Sequence, residues 1–216
     1  MKQTINLGAY GWLHQDWKNS FYPEELPADW RLGYYSNEFN TVLVPAFYWQ
    51  EGYMAGCEDL LDDVHPGFQF FIECDDRIFD TIPPSELTDA LRSLQPQLSG
   101  LVFPDVLRMN KALDDRFLVL ADSLEVEVIG GQSVPGAAKV WRPGKTLVNG
   151  QQQARFAIIE DDLRDLRAVR SKIEPFTRQL QDQRLDKKGA TLIVSHPQLQ
   201  AADLGKLRSV LEIMGH

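Results

Sequence analysis

The chain is poor in the residues that build metal and redox centres. Its 216 residues contain two cysteines, Cys57 and Cys74, and four histidines, His14, His65, His196 and His216. Two thiols cannot form a disulfide framework, so both are expected to be reduced and mostly buried, in a reducing compartment. Their spacing fits no zinc signature, and no metal site is expected. Phosphate fingerprints are also missing. Neither GxGxxG nor GxxxxGK followed by Ser or Thr occurs, and no cofactor is expected. Gly130-Gly131 after a strand is a weak anion signal, and a plain turn explains it better. No stretch approaches the roughly 18 uncharged apolar residues of a membrane span. The opening MKQTINLGAYGW lacks the basic-then-apolar layout of a signal peptide, so a cytoplasmic location is expected.

Positive charge is scarce in one region. Residues 51–90 carry eleven acids and one base, Arg77, within a chain of net charge -9. The acidic run reads first as a solvated face. It also repels phosphate backbones, which argues against nucleic acid as a partner. Arg164, Arg167 and Arg170 recur at helical spacing, but Asp161, Asp162 and Asp165 beside them point to surface ion pairs.

The length suits one domain, 1–216, and no linker divides it. Short apolar runs read as strands at Ile5–Gly8, Thr41–Pro45, Phe68–Cys74, Gly100–Phe103, Glu125–Ile129, Arg155–Glu160 and Thr191–Ser195. Ala138–Trp141 and Thr146–Val148 compete for one more. Helical patterns fall at Ala28–Phe39, Ser85–Leu94 and Lys111–Leu124, although FLVLAD inside the last could be a strand. A long helix follows at Asp162–Gln183, with Pro175 expected to kink or break it. The final helix uses Leu204, Leu207, Leu211 and Met214, with Gly215 as its stop. About eight strands separated by helical segments predict parallel pairing. The fold expected is a reduced TIM-type α/β barrel. Residues 130–150 carry no convincing helix, so an outer helix is expected to be missing there. Any apolar patch left at that gap would suit a homodimer.

In such a barrel the reactive groups gather where strands end. That rule selects Glu73, Glu127 and His196 as candidate catalytic groups. Carboxylates sharing a cavity can split their pKa values, so that one serves as acid and another as base. Trp12, Trp17, Tyr22, Tyr48 and Asp105 are the candidate substrate-binding residues. Each also has a structural reading. Glu127 can be a locally partnered carboxylate, and Trp12, Trp17, Phe21 and Tyr22 can form a small core that plugs one barrel end. The function classes left open are a carboxylate-dependent hydrolase or isomerase on a sugar-like or nucleotide-like small molecule, and a catalytically degenerate barrel that binds a ligand or a protein. A nucleic-acid-associated protein is the least favoured.

The N-terminal region carries a denser signal. GAYGW at 8–12, Trp17, FYP at 21–23, LP at 26–27, YY at 34–35, FNTV at 39–42 and FY at 47–48 resemble the opening of the YecE-like family, domain of unknown function 72. Beyond residue 49 the match is faint and strand by strand. The resemblance implies a TIM barrel and no settled activity, with a pocket at the barrel top. It also marks departures. Leu43 and Pro45 stand where the family tends to have Glu and Asn, and Trp49 where it has Arg. Glu73 stands for Lys, Ile129 for Arg, Glu160 for His, and Ser195 with His196 for an Asn pair. The trend is a loss of cationic and amide groups that would hold an anionic or polyhydroxy ligand.

Overall fold

The computed structural model describes residues 4–50, 57–75, 78–103, 115–130, 137–144, 154–181 and 189–216. Eight strands close into one barrel: β1 Ile5–Tyr10, β2 Thr41–Val44, β3 Gln69–Glu73, β4 Leu98–Phe103, β5 Glu127–Gly130, β6 Ala138–Trp141, β7 Phe156–Ile159 and β8 Ala190–Val194. Every neighbouring pair is parallel, and β1 closes on β8 with Ile5 opposite Ala190. The helices are α1 Arg31–Ser36, α2 Ala46–Gln50, α3 Cys57–Asp62, α4 Ile78–Thr81, α5 Pro84–Ser93, α6 Asp115–Ser123, α7 Leu166–Gln181 and α8 Ala201–Ile213.

The strands are apolar on both faces because each face meets a different core. Leu43, Phe71, Val102, Ile129, Val140, Phe156, Ile158 and Ile193 fill the barrel interior, with Tyr10 packed on them. Residues one position away, such as Val42, Phe70, Leu101, Ala157 and Leu192, join the larger core beneath the helices. The two-residue alternation therefore decides which strand-end side chains reach the mouth.

Two turns show how local chemistry ends the helices. After α6, Glu125 takes φ 54°, its N–H bonds to Asp122 O, and Val126 N–H bonds to Ala121 O. This is a Schellman cap with a non-glycine residue in the left-handed position. Gly215, at φ 95°, ends α8 in the same way, as expected from the sequence. The cap at Glu125 starts β5 two residues later than the sequence pattern suggests. FLVLAD is helical, within α6.

Other boundaries also move. The helix expected over 28–39 is the shorter α1, and residues 111–114 of another lie outside the described residues. Helix α7 is capped by Asp165, the residue before it, whose Oδ1 accepts from Arg167 N–H and Ala168 N–H at 3.0 and 3.1 Å. It runs through Pro175 without ending. Pro175 sits on the exposed side, where water can take the carbonyl that loses its partner. Ala138–Trp141 is the sixth strand, and 146–148 lies outside the described residues. Among the described residues no helix separates β5 from β6 or β6 from β7. Residues 131–137 join β5 to β6, which is shorter than the dozen or so residues of a helical crossover.

Candidate functional site

The inward rows of the strands bring Tyr10 and Glu73 together at the C-terminal end of the barrel. Tyr10 ends β1 and Glu73 ends β3, two residues beyond the interior Phe71. The Tyr10 hydroxyl donates to Glu73 Oε2. The same oxygen accepts from the backbone N–H of Ala46, the first residue of α2, at 2.8 Å. Both lone pairs of Oε2 are thus engaged, and among the described residues no hydrogen bond reaches Oε1.

This setting changes the acid–base character of both groups. Burial pushes the Glu73 carboxyl above its ordinary value, and the charge of Asp75 adds to the rise, against the lowering effect of the Tyr10 and Ala46 hydrogen bonds. Desolvation wins because the carboxylate has lost most of its water. The Tyr10 phenol is also raised, by burial first and then by Glu73, so it stays protonated and remains the donor.

On the opposite arc, Arg142 follows β6 and Glu160 follows β7. Arg142 Nη1 meets Glu160 Oε1 at 2.6 Å. Arg142 is the more buried of the two, with 19% of its side chain exposed against 69%. Both stand two residues beyond interior positions, Val140 and Ile158. Among the described residues no group of three or more His, Cys, Asp or Glu side chains could hold a metal ion.

Of the candidate catalytic residues, only Glu73 stands at the mouth with a hydrogen-bond network. Glu127 is a correction. It is the first residue of β5 and lines a cavity at the N-terminal end of the barrel, away from Glu73. The cause is the cap at Glu125, which delays the strand. His196 follows β8, and its Nδ1 accepts from Gln198 N–H at 3.2 Å, so the ring folds back on its own turn. Asp105 lies outside the described residues.

The candidate stacking residues are packed away. Trp12, Trp17, Tyr22 and Tyr48 are 4%, 0%, 1% and 4% exposed. Trp17 Nε1 donates to Leu199 O at 2.6 Å, and the Tyr22 hydroxyl donates to Trp12 O at 2.6 Å. Tyr48 packs edge-on against Trp12, and its hydroxyl accepts from Leu13 N–H at 3.2 Å. These rings form the plug that pins the β1–α1 loop. In this arrangement none presents an open face to a ligand. Arg142 is not among the strand-end residues that the sequence offers, and Tyr10, which is among them, is given no role there. The signal for Tyr10 was available, since it stands two residues from Gly8 on a strand whose alternate positions point inward.

Comparison with known proteins follows the same lines. Residues 6–105 match the family described as protein of unknown function DUF72. A DUF72 family protein from Thermotoga maritima has a similar structure, with TM-score 0.56 and 14% identity over 97% of this chain and 99% of that chain. A DUF72 family protein from Enterococcus faecalis gives TM-score 0.58 and 8% identity over 97% of this chain and 96% of that one. At such identities the likeness is one of fold. No curated protein sequence matches the chain. Among the described residues no helix is long and apolar enough to cross a membrane.

Proposed function

We propose that the C-terminal mouth of this barrel, whose residues 6–105 match the DUF72 family and whose fold is similar to that of DUF72 proteins, is an active site in which Glu73 moves protons. The observation that carries this reading is the Glu73 carboxyl itself. It is half-buried, raised in pKa, held through Oε2 by Tyr10 and Ala46, and clear at Oε1 of any hydrogen bond from the described residues.

A carboxyl of this kind keeps its proton closer to neutral pH than a surface glutamate does, which is what a general acid needs. With Oε2 occupied by two donors, the transferable proton sits on Oε1. Tyr10 orients the carboxyl and stabilises the anion left after the proton departs. Arg142, across the mouth and paired with Glu160, supplies a partly buried cation for a polar or anionic substrate group. The substrate class that suits carboxylates and one arginine is a sugar-like or nucleotide-like small molecule. The reaction class is hydrolysis, or isomerisation by proton transfer.

The test is a screen of nitrophenyl glycosides, nucleosides and aldose–ketose pairs with wild type and Glu73→Gln. Turnover should fall by about 10²–10⁴-fold in the variant. If a substrate is found and Glu73→Gln turns it over at the wild-type rate, the assignment fails.

A second reading is favoured by the aromatic rings. Trp12, Trp17, Tyr22 and Tyr48 are all consumed in packing, so none of these four offers a stacking face to a sugar or base. A barrel that has given up catalysis and retains only ligand or protein binding would look like this. Ligands that bind at the mouth without turnover, unaffected by Glu73→Gln, would favour it.

A further inference from the structure

We propose that a second site, at the N-terminal end of the barrel, binds a small zwitterion of the amino-acid kind. A cavity of about 80 Å³ opens there, on the far side of the interior core from Glu73. Its apolar base includes Phe71 and Phe156, whose rings meet at 4.8 Å. A molecule of a few heavy atoms fits, since a water takes about 30 Å³ of liquid.

The polar lining is sorted by sign. Ser99 on β4 and Glu127 on β5 lie on neighbouring strands, with Gly100 in register with Glu127. Arg155, just ahead of β7, and Thr191 on β8 lie on the other side, joined by Thr191 N–H to Arg155 O at 2.8 Å. Strand β6 separates the two pairs. One wall therefore offers a carboxylate and a hydroxyl, and the other a guanidinium and a hydroxyl. A ligand with an ammonium at one end and a carboxylate at the other matches both walls. Its side chain would be no larger than a methyl group and would rest on the aromatic base.

The independent observation is Thr191. It is 4% exposed, lines the cavity, and its hydroxyl makes no hydrogen bond with any described residue. The Ser99 hydroxyl, also in the lining, likewise has none. Neither hydroxyl is among the buried side-chain atoms left without a partner, so both are reached from the cavity, where a ligand can take the place of water. Here the ligand's carboxylate would accept from Thr191 and its ammonium would donate to Ser99. Arg155 and Glu127 keep their existing protein interactions and contribute charge at the rim.

The experiment is an amide NMR titration of the full chain with glycine and L-alanine, with acetate and methylammonium as single-charge controls. Saturable millimolar shifts are expected at Ser99, Ile129 and Thr191. Each control should bind at least about tenfold more weakly, as should either amino acid to Thr191→Val, a loss worth about 1.4 kcal/mol. Ser99→Ala carries the same comparison if Thr191→Val fails to melt cooperatively. Glu73→Gln should bind as wild type does, which separates this site from the mouth. Absence of saturable shifts overturns the proposal, because water alone then satisfies the hydroxyls. Acetate binding as tightly as glycine overturns it too, as does a folded hydroxyl variant that binds normally.

Discussion

Tyr10 and Glu73 sit on strands separated by β2, and a hydrogen bond from the phenol to Glu73 Oε2 spans the gap inside the barrel. The bond ties the protonation of one group to the position of the other. Burial raises the Glu73 pKa from 4.5, so the folded chain holds this proton more tightly than the unfolded chain does. Its contribution to stability is full below pH 4.5 and is lost as pH rises through the folded pKa. Urea unfolding of wild type and Glu73→Gln across this range should show a decline with rising pH that the variant lacks. Tyr10→Phe removes a donor that lowers the pKa, so its decline should extend to higher pH. Coincident slopes in all three proteins would show that Glu73 titrates normally.

Much of this architecture is legible in the sequence. Apolar runs separated mostly by helical segments predict parallel pairing, and every neighbouring pair in the barrel is parallel. The site was less legible because it depends on register. Glu73 was selected since it ends a strand whose apolar pattern is unambiguous. Glu127 was misplaced because Glu125 adopts a left-handed cap that residue type does not favour. The aromatic residues at 12–22 could be read either as a wall or as a plug. Only burial decides, and burial depends on Leu199 and Tyr35, which lie far away in sequence.

Tyr35 shows how the outer layer fixes the barrel. Its hydroxyl accepts from Ala9 N–H at 2.9 Å and donates to Thr41 O at 2.8 Å, so one side chain of α1 bridges β1 and β2. Tyr35 is fully buried. Tyr35→Phe keeps the ring but leaves a buried donor and a buried acceptor unpaired. Each such loss costs about 1–3 kcal/mol. Denaturant unfolding should show a loss in that range or above it, with near-native far-UV dichroism. A variant as stable as wild type would mean that water replaces the hydroxyl.

His14 gives a pH dependence of opposite sign. Its ring stacks on Trp17 at 4.3 Å, and its Nε2 is buried with no partner among the described residues. Burial lowers its pKa from 6.5, against weaker raising contributions from the Tyr10 and Gly11 backbone and from Asp16. The unfolded chain therefore binds this proton first. The contribution of His14 is full above pH 6.5 and is lost as pH falls through the folded pKa. His14→Phe preserves the stack and should remove that acid-side loss. A Phe variant that keeps the wild-type acid profile would place the titration elsewhere.

Two interior glycines should respond differently to the same substitution, because different atoms face them. A Cβ on Gly8 would lie 2.1 Å from the Thr41 carbonyl oxygen, in the backbone of the neighbouring strand. Relief would require β1 and β2 to separate, and both are bonded on their other edges to β8 and β3. Gly8→Ala should therefore yield little folded protein. At Gly100 the nearest atom is Ile129 Cδ1 at 2.8 Å, the tip of a flexible side chain, with the Glu127 carbonyl oxygen next at 3.1 Å. Ile129 can change rotamer, so Gly100→Ala should fold with a loss of about 1–3 kcal/mol, the usual cost of overpacking. Soluble yield and thermal melting of the two variants provide the comparison. Equal tolerance at both positions would mean that the β1–β2 spacing can adjust, and that Gly8 is not required for barrel closure.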